Sequence, residues 1–555
     1  MTVSAIFLSP YFYGDPSFVC YRRSENVGYN SPFFSPPIFI SCRFSACRLA
    51  GVIGGYFYPY LCGYRFAARM IFIKAMSRYV ALWECTAGNG SCEKSTLSGR
   101  FTQGVWILMA LSSVFLSRQR IGQCMALLIT GACTWSALAQ TAPTAVTAPN
   151  ITVSDALQQH IPLLDTRSSA AFNGWPQEGE TTGGHERGAR NLSASWLSLL
   201  DDAQLTHLLQ QKKLDKSLPV ALYGTAPEVN AVRQRLQALG FNTIYTLSDA
   251  LQDPSRRESL AHYQALVPAS WLADLQAGKP VANAPAKGWK VIEVEWGAPK
   301  AYLLGHIPKA GYMDTNTLES EPLWNKVDNA SLEKMLLAQG ITTDTPVILY
   351  GRQTMSAARA ANILMYAGVK DVRILDGGWD AWQAGKYPTE MGLPASVTPA
   401  KAFGAKIPVH PEYMTSLSQA KALLKKPENS LVSIRSWPEF IGETSGYNYI
   451  KAKGEIPGAK WGGGGSDAYH VEDLHNPDGT MLSEPDLRDL WQKWQIEPTG
   501  EVAFYCGTGW RASEAFFYAW AMGWPQVSVY DGGWYEWSLD PANPIVTGER
   551  QPEKS

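Results

Sequence analysis

The chain is 555 residues long, 46% hydrophobic and 12% aromatic, with 48 basic against 49 acidic residues and a formal net charge of −1. That balance, with no long basic run, excludes the electrostatic footprint of a nucleic-acid binder. Its nine cysteines are unevenly spread: Cys20, Cys42, Cys47, Cys62, Cys85 and Cys92 lie near the start, Cys124 and Cys133 in or beside a short apolar run, and Cys506 stands alone after them.

Residues 1–108 are rich in Tyr, Phe and Cys, carry irregular Pro and Gly, and show no sustained period of 2 or 3.6. Their longest apolar stretches, 51–62 and 105–116, are too short for a span of ~20 residues. We expect this segment to be a non-native upstream extension, with Met109 as the true start. The alternative is a genuine cysteine-rich or membrane-associated extension. Residues 109–139 follow as a signal peptide: Arg118 and Arg120, then an apolar run from Met125, then Ala137-Leu138-Ala139. Cleavage after Ala139 leaves Gln140 first and a product with no membrane segment.

The remainder is long enough for two to four domains of ~100–200 residues. Having only Cys506, it forms no intramolecular disulfide. An odd thiol in an oxidising compartment is either reactive or paired between chains.

A pattern then occurs three times. "VALYGTAPEV" from Val220, "VILYGRQTMSAAR" from Val347 and "VAFYCGTGWRASE" from Val502 each give a β-rich run, a loop and a helical pattern. Gly240, Gly368 and Gly523 follow as helix stops. A further β-rich run comes next: "NTIYTLSDAL", "DVRILDGGWDAW" and "QVSVYDGGWYEW". Upstream, strands beginning at Pro162, Trp289 and Ser430 lead into "GHERGARN", "GHIPKAGY" and "GEIPGAKW". Strands alternating with helices predict an α/β fold: three tandem domains, each an open, mostly parallel sheet with helices on both faces.

Only the third repeat carries a nucleophile. Gly224 follows Tyr223 and Gly351 follows Tyr350, whereas Cys506 follows Tyr505. A thiol must ionise to attack, so the loop Gly507, Thr508, Gly509 and Trp510 has to stabilise a negative sulfur. Gly507 and Gly509 let the backbone curl, so that successive N–H groups converge as an anion nest. A helix starting near Ala512 adds its dipole, and Arg511 adds a fixed charge.

These motifs resemble the rhodanese family: "GHIPKA" and "GEIPGA" match its first signature and "DGGW" its second. The resemblance covers residues 150–548. It implies inactive domains at 150–277 and 286–392, a linker at 393–428, and a catalytic domain at 429–548. It implies a sulfurtransferase that needs no metal or organic cofactor. Cys506 takes a sulfane sulfur from a small anionic donor, carries it as a persulfide and passes it to a thiophilic acceptor such as cyanide. The physiological acceptor is unknown; a protein thiol is one candidate. Arg511 and Arg435 are the expected donor-binding residues. Arg435 matches the Arg of the family's Asp-x-Arg turn, although Ser433 replaces the Asp. Whole-chain resemblance favours thiosulfate as donor and a periplasmic location. The "CGTG" loop resembles mercaptopyruvate enzymes, so 3-mercaptopyruvate stays open. So does a persulfide carrier or partner-binding module without turnover of its own. Related phosphatase and arsenate-reductase loops place five residues between Cys and Arg; here four intervene, which suits a single sulfur.

Other features have plainer expectations. "WGGGGSDAYH" from Trp461 is expected as a flexible loop near the site. His470 and His475 are expected on the surface, and His185 and His306 in structural turns. Asp531 is expected to brace the turn beside the Cys506 loop.

Overall fold

The computed structural model describes residues 149–552 and, upstream, the backbone of three strands. Those strands, Arg69–Met76, Tyr79–Thr86 and Cys92–Leu97, form an antiparallel meander in a segment whose residues show no sustained periodicity. The rest of the 1–108 segment and the signal pattern at 109–139 lie outside the described residues. Among the described residues, no helix is long and apolar enough to cross a membrane.

The body beyond residue 140 contains three five-stranded sheets. The first sheet runs, in spatial order, Asn150–Ile151, Ile244–Leu247, Val220–Tyr223, Leu163–Asp165, Arg190–Asn191. The second runs Leu266–Val267, Val372–Leu375, Val347–Tyr350, Lys290–Glu295, Gly311–Asp314. The third runs Met414–Thr415, Val527–Tyr530, Val502–Tyr505, Ser430–Ser433, Lys460–Trp461. Numbering strands by chain order within each sheet, all three read 1-5-4-2-3, and every pairing is parallel. The fourth strands "VALY", "VILY" and "VAFY" are buried at all four positions. That is the continuous apolar run of a parallel strand covered on both faces.

Two boundaries move. Leu266–Val267 pairs with the second sheet although the sequence puts it in the first domain, and Met414–Thr415 joins the third sheet from within the expected linker. Strands of two residues are too short to show an alternation, which is why the sequence hides them.

The second and third repeats share one hydrophobic core. It runs from Val347 and Leu364 to Phe504 and Phe516, while the first repeat keeps its own around Trp196 and Leu222. The shared core is built on helix Thr354–Ala367, buried from Met355 to Ala367, packed against Trp510–Ala521. Five alanines in the first helix allow the close approach, and its polar side chains Ser356, Arg359 and Asn362 are buried with them. Both helices stop at glycines in the left-handed region, Gly368 at φ +112° and Gly523 at φ +80°.

Candidate active site

Val502–Tyr505 lies in the middle of the third sheet, and Cys506 follows at its carboxyl end, where open α/β sheets place ligands. Cys506 is fully buried. The Gly509 N–H donates to its Sγ at 3.2 Å. Gly509 has φ +98° and caps helix Trp510–Ala521, which starts two residues earlier than the sequence suggested. Gly507 has a different reason to be glycine. A Cβ there would lie 2.4 Å from Cε2 of Tyr447, so room rather than φ decides it.

The "DGGW" turn sets the polarity of the loop. Trp534 N–H donates to the Cys506 carbonyl at 2.8 Å, and Tyr535 N–H to the Gly507 carbonyl at 3.1 Å. Drawing these carbonyls to Trp534 and Tyr535 leaves the Gly509 amide for the sulfur. Gly533, at φ +54°, is needed because a Cβ would sit 2.6 Å from the Cys506 oxygen. Asp531 braces further away than expected. It accepts from the Lys326 N–H at 2.9 Å and the Arg359 Nη2 at 2.6 Å, both in the second repeat.

The two expected donor-binding arginines each pair with a buried carboxylate. Arg511 is fully buried and forks onto Glu439, Nη1 to Oε2 at 2.8 Å and Nη2 to Oε1 at 3.0 Å. Burial opposes ionisation of Glu439, but the Arg511 charge and its hydrogen bonds overcome this and hold the carboxyl down to about 2. Arg511 itself is held above its ordinary value: burial pulls it down, while Glu439, Tyr447 and the Cys506 charge outweigh that. Arg435 is also fully buried, donating to Gly454 O at 2.7 Å and Glu455 Oε2 at 3.2 Å, with its plane over the Trp534 ring. Both arginines brace the loop and the "DGGW" turn through these contacts, while Arg435 Nε and Nη2 and Arg511 Nε have no hydrogen-bond partner among the described residues.

Glu455 explains the Ser433 departure. The first repeat has the Asp-x-Arg pair, with Arg167 donating to Asp165 at 3.0 and 2.7 Å. In the third repeat, Ser433 Oγ donates instead to Glu455 at 2.8 Å, and Glu455 supplies the carboxylate for Arg435. The Tyr505 hydroxyl donates to the same carboxylate.

Several neighbours were not legible in the sequence. Tyr447, Tyr449 and Tyr469 form a collar, with ring centroids 5.3 and 5.1 Å from Tyr447. Tyr449 is 40% exposed and Tyr469 51% exposed. Trp510 Nε1 donates to Glu319 of the second repeat at 2.6 Å. Burial raises Glu319 to about 7 against the pull of Arg359.

Two plainer expectations fail. The glycines at 462–465 are packed, not loose: a Cβ on Gly464 would lie 2.7 Å from the Arg435 backbone. His475 is not on the surface; its side chain is 16% exposed and pairs with Glu514 at 2.6 Å. His470 is on the surface, beside Asp467. His185 and His306 stack on Phe172 and Tyr302 in buried turns.

The Rhodanese-like domain family model matches residues 269–385 and 416–540. The thiosulfate sulfurtransferase YnjE of Escherichia coli K12 is 56% identical over 73% of this chain and 93% of its own length. The crystal structure of YnjE superposes with a TM-score of 0.72, covering 73% of this chain and 98% of that one. An anaerobic ergothioneine biosynthesis enzyme from Chlorobium limicola, solved with trimethyl histidine, is 38% identical, with a TM-score of 0.69 over 73% of this chain and 100% of that one. A structure of EanB bearing a cysteine persulfide, with ergothioneine, is 39% identical, with a TM-score of 0.69 over 72% and 100%. This chain belongs to the rhodanese family and is a sulfurtransferase.

Proposed function

We propose that the protein moves a sulfane sulfur from thiosulfate to a thiophilic acceptor through a persulfide on Cys506. The observation that carries this is the Gly509 N–H aimed at Sγ at 3.2 Å, in a loop whose Cys506 and Gly507 carbonyls are tied to the "DGGW" turn. A sulfur held this way is stabilised as an anion, and so is the terminal sulfur of a persulfide.

The thiolate attacks the outer sulfur of thiosulfate. A new S–S bond forms, the bond to the sulfonate sulfur breaks, and sulfite leaves with the electron pair. Cys506 then holds the persulfide anion. In the second half, cyanide attacks the terminal sulfur, thiocyanate departs and the thiolate returns. No oxidant or reductant is needed, and ping-pong kinetics follow. Repeats one and two, with Gly224 and Gly351 at the matching positions, serve as scaffold and interface. The signal pattern at 109–139 supports a periplasmic location, where the acceptor is a small thiophile or a protein thiol.

The test is thiocyanate production from cyanide by the protein and its Cys506→Ala variant, with thiosulfate and then 3-mercaptopyruvate. Turnover with thiosulfate that vanishes in the variant supports the proposal. A stronger response to 3-mercaptopyruvate changes the donor. No turnover with either donor moves the protein to a carrier loaded by another protein.

The tyrosine collar favours a second reading of the acceptor alone. Electron-rich ring faces at the mouth of the loop suit an organic cation. Incubating the persulfide form with trimethyl histidine and weighing the product separates the two: a sulfur-bearing histidine derivative supports this reading, and recovery of unchanged compound removes it.

A further inference from the structure

The second repeat has no nucleophile, yet it reaches the back of the Cys506 loop. Arg359 sits on helix Thr354–Ala367 and is fully buried. Its Nε donates to Glu319 Oε2 at 3.0 Å, and its Nη2 to Asp531 Oδ1 at 2.6 Å and to the Trp324 carbonyl at 3.1 Å. Nη1 has no hydrogen-bond partner among the described residues. A buried, charged donor is costly to leave unpaired, so its direction matters.

That nitrogen lies against Gly509. A Cβ built on Gly509 would stand 2.9 Å from Arg359 Nη1 and 3.1 Å from Cζ. Gly509 is the residue whose N–H reaches Cys506 Sγ. The next residue, Trp510, is tied to the same cluster through Glu319, and Asp531 opens the "DGGW" turn. One guanidinium therefore meets three parts of the loop's support.

We propose that Arg359 is a positioning residue of the Cys506 site: it seats Gly509 so that its amide faces the sulfur, and its unpaired Nη1 edge brings positive charge to the thiolate and to an arriving anion. Glu319 and Asp531 hold it there and offset part of that charge. The apparently idle second repeat thus completes the site of the third. This rests on Cys506 being the reactive thiol.

The test compares alkylation of Cys506 by neutral iodoacetamide and by anionic iodoacetate, followed on the peptide that carries Cys506 in the full chain. The pH is 8.5, where Glu319, raised to about 7, is ionised. Misplacing the loop slows both reagents alike; only a change of charge moves the ratio of iodoacetate to iodoacetamide rates. Arg359→Gln is expected to lower that ratio about tenfold, and Glu319→Gln to raise it by roughly three- to tenfold. Arg359→Lys keeps the ratio while both rates fall. A folded Arg359→Gln variant with the wild-type ratio overturns the proposal. If Arg359→Gln does not fold, Glu319→Gln decides: a raised ratio supports the proposal and an unchanged one overturns it. Wild-type Cys506 that takes neither reagent contradicts the reactive-thiol reading, and the proposal with it.

Discussion

Ser433 donates to Glu455 at 2.8 Å, and Glu455 in turn holds Arg435 at 3.2 Å. A carboxylate from the "GEIPGA" turn thus does in the third repeat what Asp165 does in the first. Removing it leaves a fully buried cation with only Glu439, 3.5 Å from its Nε, so Glu455→Ala is expected to cost up to about 3–5 kcal/mol. Ser433→Asp on that background restores a carboxylate two residues before Arg435. The double variant should recover a large part of the loss in urea unfolding. Two losses that simply add would show that Ser433 cannot take over the pairing.

Gly533→Ala tests the turn that polarises the loop. The new methyl would press on the Cys506 carbonyl, at a φ of +54° that L side chains rarely adopt. The backbone strain alone costs about 1–2 kcal/mol. Turnover should fall at least tenfold while the global unfolding midpoint moves by only a few degrees, as measured by thiocyanate formation and thermal melts. Wild-type turnover would mean that the Trp534 and Tyr535 amides do not set the direction of the Gly509 N–H.

Acid should release the Arg511 brace. The folded Glu439 carboxyl is depressed to about 2 from an ordinary 4.5. Its contribution is therefore present above pH 4.5 and is lost as pH falls through the folded value, for roughly 3 kcal/mol in all. Glu319 works the other way. Its folded value is raised to about 7, so stability falls as pH climbs from the ordinary range to 7 and levels off above it. Glu319→Gln should remove that decline, read as the difference in unfolding free energy between pH 5 and pH 8.

The largely buried His475–Glu514 pair gives a third pH signature. Burial lowers the imidazole value, but Glu514 outweighs it and the net shift is upward. The pair stabilises fully below the ordinary histidine range and is lost as pH rises through the folded value. His475→Gln should therefore depress the melting temperature more at pH 6 than at pH 9. An equal loss at both would assign His475 a packing role only.

The repeat pattern was legible because parallel strands covered on both faces must be apolar throughout, and "VALY", "VILY" and "VAFY" say so without help from context. Cys506 stood out because its aligned partners are Gly224 and Gly351. The sequence could not show that Glu455 replaces the missing Asp, since the carboxylate arrives from 22 residues away. Nor could it show Arg359 behind Gly509, because that contact exists only once two helices from different repeats have packed. His475 misled for a related reason. A turn motif reads as surface until a partner covers it, and here Thr354 and Glu514 do.

The most direct measurement is the mass of the Cys506 peptide after a short incubation with thiosulfate alone, with sulfite measured in the same sample. The expected result is the gain of one sulfur atom on Cys506 and one sulfite released per chain, with neither in Cys506→Ala. An unmodified Cys506 in a protein that still forms thiocyanate would contradict it, because the sulfur would then travel by a route that does not pass through this loop.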